Sequence, residues 1–136
     1  MRFSVDRLDH LVITCRDVEM SANWYERVLG MEREVFGPHD RLSLRFGGQK
    51  INLRPVTASP EAWFTGTAPI PGSQDLCFIV TIGADQIVSH FRAVGVEMIL
   101  GPVPKAGALG TITSCYCRDP DGNLIEVSTY GEDAAR

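Results

Sequence analysis

Two halves of this 136-residue chain follow the same order of residues at fixed spacing. Gly30 and Gly95 stand 65 residues apart, as do His10 and Asp75, and Met31-Glu32 recurs as Val96-Glu97 at that spacing. Further on, Gly48-Gln-Lys-Ile-Asn-Leu53 aligns with Gly122-Asn-Leu-Ile-Glu-Val127 at a spacing of 74, so nine extra residues fall in the second copy, within Gly101–Gly110. A period of this kind marks a repeated supersecondary unit. The chain therefore reads as two copies of one unit rather than as a continuous series of unrelated elements.

The unit is βαβββ. Asp9–Cys15 has strand character, and Asp17 is placed to cap a helix over Val18–Leu29. Met20, Trp24 and Val28, with Tyr25 and Leu29, fall at helical spacing, and Gly30 ends the run. Glu32–Phe36, Leu42–Phe46 and Lys50–Arg54 read as three short strands, divided by Gly37-Pro-His-Asp40 and Gly47-Gly48. The second copy has strands at Asp75–Ile82, Glu97–Leu100, Thr111–Cys117 and Leu124–Thr129, and a helix over Ala84–Val94 stopped by Gly95. Unit one spans about 5–55, a Pro/Gly/Ser/Thr-rich connector about 56–73, and unit two about 74–130. The expected fold is α+β, with the two tandem units forming a curved mixed sheet around a cleft within one domain.

Composition narrows the function classes. A net charge of −4 leaves no basic footprint for nucleic acid. No apolar run approaches the roughly 20 residues of a membrane span, and the N-terminal residues carry no apolar signal core. The expected location is the cytoplasm, with no membrane or nucleic-acid partner. Cys15, Cys77, Cys115 and Cys117 form no C-x-x-C pair and read as reduced, packed thiols.

The last strand raises the chemical question. Asp119-Pro-Asp-Gly122 is a turn signal, and the strand after it carries one carboxylate, Glu126, among apolar and hydroxyl residues. Period-2 geometry puts Leu124, Glu126 and Ser128 on one face and Ile125 and Val127 on the other. An interior carboxylate must be paired, hydrogen-bonded or ligating. The repeat matches His10 with Asp75 near the start of a first strand, and Asn52 with Glu126 midway along a last strand. Two units packed about a pseudo-twofold would bring these four to one concave face. One imidazole, two carboxylates and one amide form an oxygen/nitrogen set suited to a divalent metal.

With these residues in place, the chain resembles the vicinal-oxygen-chelate superfamily, which includes glyoxalase I, fosfomycin and bleomycin resistance proteins and extradiol dioxygenases. Asp9-His10-Leu-Val, Gly47-Gly-Gln-Lys-Ile-Asn-Leu53, Pro71-Gly-Ser-Gln-Asp-Leu-Cys-Phe78 and Arg118-Asp-Pro-Asp-Gly-Asn-Leu-Ile-Glu-Val-Ser128 are most similar to the glyoxalase-domain-containing protein 5 and virulence-associated group. The resemblance covers residues 5 to 130 and implies His10, Glu126 and Asp75 as metal ligands, with Glu126 also a catalytic base. It implies a divalent ion (Mn, Ni, Zn or Fe), a small substrate with vicinal oxygens, and a homodimer. Two positions depart from the family pattern. Asn52 offers only a neutral oxygen, and Asp75 stands where many members have a second His, so a two-His-one-carboxylate iron site cannot be assembled. The expected activity is therefore glyoxalase-like, of lyase or isomerase type, rather than dioxygenase. The alternative is a metal-free protein that sequesters a small molecule, as bleomycin-resistance members do.

Other residues keep two readings each. Arg54 shares a strand face with Asn52 and either pairs with Glu126 or Asp75 or anchors a substrate anion. Trp63 and Phe64 are either a lid over the pocket or packing under a long connector. Tyr116 is a further aromatic contact for a ligand. The Pro102–Gly110 stretch is either a moving flap carrying Lys105 or a solvated loop.

Overall fold

The computed structural model describes residues 1–131. The chain divides into two compact units, Met1–Pro71 and Gly72–Arg136. Each carries its own four-stranded mixed sheet with one helix.

In the first unit the elements are β1 (His10–Cys15), α1 (Val18–Leu29), β2 (Glu32–Phe36), β3 (Arg41–Phe46) and β4 (Gln49–Pro55). The sheet order is β1-β4-β3-β2: β1 pairs in parallel with β4, and the remaining pairs are antiparallel. The second unit repeats this as β5 (Asp75–Ile79), α2 (Ala84–Ala93), β6 (Leu100–Gly107), β7 (Gly110–Arg118) and β8 (Leu124–Thr129), in the order β5-β8-β7-β6.

Local sequence accounts for α1. Asp17 accepts a hydrogen bond from the Met20 amide at 3.0 Å, satisfying one of the orphan donors of the first turn. Gly30 closes the helix in the left-handed region at φ 65°, where a side chain would be strained. The buried stripe is Ser21, Trp24, Tyr25 and Val28, so Met20, expected on that stripe, is exposed. The spacing 21/24/25/28 is itself a helical face, and the small Ser21 lets the helix approach the sheet closely.

The stripe packs on β3 and β4. Leu44, Ile51 and Leu53 are fully buried there, as is Ile13 of β1, and burying side chains of this size contributes about 1.5–3 kcal/mol each. Ile87 and Phe91 of α2 similarly pack against β7 and β8, where Cys115, Cys117, Ile125 and Val127 are buried. Burial pushes the Cys117 thiol up to about 12, with Asp119 adding to it, so this cysteine stays protonated core. Cys77 is exposed instead, and its thiol donates to Ser128 Oγ at 3.4 Å.

One expectation is corrected. The strand foreseen at Glu97–Leu100 lies at Leu100–Gly107, and the stretch foreseen as a flap or loop, Pro102–Gly110, is mostly strand. Val103 through Gly107 pair antiparallel with Ser114 through Gly110. Pro102 and Pro104 hid the strand because proline lacks an amide donor. β6 is an edge strand, where a missing donor is tolerated. Lys105 is thus fixed by the ladder opposite Ile112 rather than carried on a moving loop.

Candidate functional site

Strand alternation separates two faces in each sheet. In β4, Ile51 and Leu53 face α1, which turns Asn52 and Arg54 to the other side. In β8, Ile125 and Val127 face α2, which turns Glu126 and Ser128 away from it.

The two units then place their matched residues identically. His10 opens β1 opposite Lys50, and Val12 is opposite Asn52, so His10 and Asn52 are diagonal neighbours on one face. Asp75 opens β5 opposite Leu124, and Cys77 is opposite Glu126, so Asp75 and Glu126 stand on the same diagonal.

In the first unit, His10 is exposed, and its Nδ1 lies 2.8 Å from Asp9 Oδ2. That hydrogen bond, with the charge of the ring when protonated, holds the Asp9 carboxyl below its ordinary value. With Nδ1 engaged, Nε2 is the nitrogen left to act outward. Asn52 is buried, and its side-chain oxygen has no hydrogen-bond partner among the described residues. Leaving such an oxygen unsatisfied costs about 1–3 kcal/mol.

Arg54 is almost wholly buried, at 2% exposure. Its Nη2 donates to the Ala58 carbonyl at 2.8 Å and its Nε to the Trp63 carbonyl at 3.4 Å. The guanidinium thereby staples the connector to the end of β4. Trp63 is buried beneath Arg41, whose guanidinium carbon lies 4.0 Å from the ring centroid. Phe64 beside it is exposed at 93%.

In the second unit, Glu126 Oε2 accepts from Ser114 Oγ at 2.5 Å and, more weakly, from Ser128 Oγ at 3.4 Å. The two hydroxyls are also 2.7 Å apart. Tyr116 pairs with Glu126 across β7 and β8. Burial, together with its hydrogen bond to Glu126 and that residue's charge, pushes the Tyr116 phenol up to about 12. It remains a donor throughout the neutral range. Asp75 is exposed.

The turn ahead of β8 is held by Asp119. Its Oδ1 accepts from the amides of Asp121 and Asn123, each at 2.9 Å, and its Oδ2 from Asn123 Nδ2 at 2.7 Å. Asn123 Oδ1 in turn accepts from the Gln74 amide at 2.9 Å, next to Asp75. Gly72 must be glycine here, because at φ 85° a Cβ would meet the Asp121 carbonyl oxygen at 2.6 Å.

Asp9, Ser114 and Ser128 join the expected site residues as the partners of His10 and Glu126. The signal for Ser114 lay in counting back from the Asp119–Gly122 turn, which puts it opposite Ser128, one alternation from Glu126. Among the described residues no group of three His, Cys, Asp or Glu side chains is gathered as a metal cluster. Taken singly, each donor is of a type that a divalent ion accepts: in the first unit an imidazole oriented through its second nitrogen by a carboxylate and a buried amide oxygen with no partner among the described residues, and in the second a carboxylate braced by hydroxyls.

Comparison with known proteins agrees with this architecture. The model of the Glyoxalase/Bleomycin resistance protein/Dioxygenase superfamily matches residues 7–127. Virulence protein STM3117 of Salmonella typhimurium is 44% identical over 128 residues, covering 93% of this chain and 85% of that protein. Glyoxalase domain-containing protein RDO1 of Mycosarcoma maydis is 45% identical over 129 residues, covering 95% and 71%. An integron cassette protein from the mobile metagenome of V. cholerae superposes with a TM-score of 0.91 at 45% identity, over 96% of this chain and 99% of that one. Two more distant structures share the fold: a lactoylglutathione lyase from Agrobacterium tumefaciens, at 21% identity, 93% and 96% coverage and a TM-score of 0.71, and TnmS3, an antibiotic-binding protein from a Streptomyces species, at 19%, 94% and 98%, and 0.71. The βαβββ repeat, its matched polar positions and these likenesses converge: the chain belongs to the Glyoxalase/Bleomycin resistance protein/Dioxygenase superfamily.

Proposed function

We propose that this protein is a metal-dependent, glyoxalase-like enzyme of lyase or isomerase type, with His10, Asp75 and Glu126 as the metal ligands. The observation that carries the reading is the identical diagonal of His10 with Asn52 and of Asp75 with Glu126. A bound divalent ion would supply Lewis acidity toward two adjacent oxygens of a small substrate.

The chain's own groups have distinct tasks in this reading. Asp9 fixes the His10 ring so that Nε2 points its lone pair outward. Ser114 and Ser128 load one oxygen of Glu126, leaving Oε1 to ligate or to accept a substrate proton. Tyr116, protonated at neutral pH, donates toward the developing negative charge. Asn52 offers its buried oxygen to a substrate hydroxyl or to the ion. The test is elemental analysis of the purified protein beside His10→Ala and Glu126→Ala. Stoichiometric metal in the native chain, lost in both variants, supports the ligand set. Full metal retention by Glu126→Ala overturns it.

One observation favours a second reading, a metal-free protein that binds and sequesters a small molecule. Asn52 puts a neutral amide where the repeat has Glu126, and Arg54 contributes a buried cation on the same strand face. This reading expects ligand-dependent quenching of tryptophan fluorescence that EDTA leaves unchanged. Binding that vanishes with EDTA counts against it.

A cytoplasmic homodimer completes the proposal. No helix among the described residues is long and apolar enough to cross a membrane. Each sheet ends in edge strands of the kind a second copy covers. Sedimentation that finds only the 15.0 kDa species would refute the dimer.

A further inference from the structure

The first unit also has a groove whose floor lies on the sheet face that α1 packs against, opposite to Asn52, and whose wall Arg54 braces through the Ala58 and Trp63 carbonyls. Its volume is about 810 Å3, within the range of small-molecule sites. The floor is one continuous row of side chains. Leu53 of β4 is in register with Leu42 of β3, and Leu42 with Val35 of β2. α1 covers the inner end of this row, where Leu53 is buried, and leaves the outer end open, where Val35 is 56% exposed.

Trp63 is the aromatic wall, and it is held firmly. Arg41 stacks over its ring and donates to the Ala62 carbonyl at 2.8 Å, while the Trp63 amide donates to the Ser59 carbonyl at 2.9 Å. The groove is therefore a preformed apolar surface with an ordered side.

The charge at its mouth is unbalanced. Glu19 is neutralised by Arg33, at 2.6 Å. Asp40 and Glu61 also line the groove, and neither carboxylate has a side-chain partner among the described residues. The one guanidinium on the lining, Arg41, is oriented by the Trp63 ring and the Ala62 carbonyl and keeps its charge, and His39 also lines the mouth, so Asp40 and Glu61 outnumber the guanidinium by one. A ligand anion would meet a lining with an excess of negative charge, whereas a protonated amine would be paired by Asp40 and Glu61.

We propose that this groove is a second binding site, separate from the face that carries His10 and Asn52, and that it takes an organic cation: an apolar or aromatic body lying along Val35, Leu42 and Leu53 with a protonated amine at Asp40 and Glu61. The site does not depend on metal, and it stands or falls independently of the proposed enzymatic activity.

The test uses the full chain and dansylcadaverine, a flexible primary amine on a naphthalene body whose emission brightens and shifts to the blue in apolar surroundings. Its N-acetyl derivative keeps the body and removes the charge. Saturable enhancement is expected with the amine, with binding about tenfold weaker for the acetylated form. Asp40→Asn combined with Glu61→Gln should reduce the amine to the affinity of the acetylated probe. Val35→Arg, at an exposed position that leaves the core intact, should weaken both probes. EDTA and Glu126→Ala should change neither affinity. Absence of saturation, equal affinity for the two probes, or an amine affinity untouched by the double substitution would each overturn the proposal. Binding lost with EDTA or in Glu126→Ala would do the same, by moving the probe to the other face.

Discussion

Ser114 donates its hydroxyl proton to Glu126 Oε2 at 2.5 Å across the β7–β8 ladder, a diagonal contact because the register partner of Ser114 is Ser128. A charge-assisted bond this short fixes the carboxylate's rotamer and selects which of its oxygens stays available. If Glu126 is a ligand, Ser114→Ala should weaken metal affinity about 10–100-fold without abolishing uptake, as loss of an orienting partner does. Competition titration against a chromophoric chelator measures the change. Unaltered affinity would mean that the hydroxyl only serves packing.

Asn52 carries a buried oxygen with no partner among the described residues, so the position is maintained at a cost to stability. Asn52→Leu should raise the urea midpoint, by about 1 kcal/mol in unfolding free energy, while impairing ligand or metal binding. A fall in stability would show that the amide contributes to the fold rather than to binding.

Tyr116 gives a pH dependence of known sign. Its folded-state value, about 12, lies above the ordinary 10 of an unfolded tyrosine. Its contribution to stability is therefore complete below pH 10 and is lost as pH rises through 10 to 12, where the unfolded chain ionises first. Tyr116→Phe should flatten that alkaline decline. Absorbance titration near 295 nm should find a late-ionising tyrosine that Tyr116→Phe removes, and Glu126→Gln should bring it earlier by removing the adjacent negative charge. A Tyr116 that titrates at 10 in the native protein refutes this.

Arg54 holds the connector by two carbonyls, so its loss should be felt there. Arg54→Met is expected to cost about 2–4 kcal/mol and to open residues 56–63 to proteolysis. Arg54→Lys should recover only part, because an ammonium lacks the fork that reaches Ala58 and Trp63 together. Equal stability of the lysine variant and the native chain would leave charge alone as the explanation.

Asp119 is the acceptor for three turn hydrogen bonds. Asp119→Ala should cost about 2–4 kcal/mol, with amide exchange accelerating at Asp121 and Asn123 before the strands themselves. Protection at those amides equal to the native level would sink the idea that the side chain organises the turn.

The sequence and the structure agree most closely where a periodic signal is long and its ends are marked. The bounds of α1, β2 and β8 match their expected spans because Asp17, Gly30 and the Asp119–Gly122 turn delimit them chemically. The strand at Leu100–Gly107 was obscured because its prolines follow the rules of an edge strand, which only the neighbouring strand makes visible. His10, Asn52, Asp75 and Glu126 were legible through the repeat, since period-2 alternation fixes their face. The partners of those residues were harder to read. Ser114 reaches Glu126 through cross-strand register, and Arg54 reaches Ala58 and Trp63 through the path of an aperiodic connector, neither of which a local pattern encodes.

Each unit closes by laying its first strand in parallel beside its last, so His10 must wait for Asn52, 42 residues later, and Asp75 for Glu126, 51 residues later. A parallel pairing of this span carries the loop-closure entropy of everything between, which disfavours its forming before the local hairpins. The diagonal donor pairs therefore come into existence only with the final closure of each unit. If these donors hold an ion as proposed, a newly made or partly opened chain presents them singly, and the binding chemistry arrives in the same step that completes the fold.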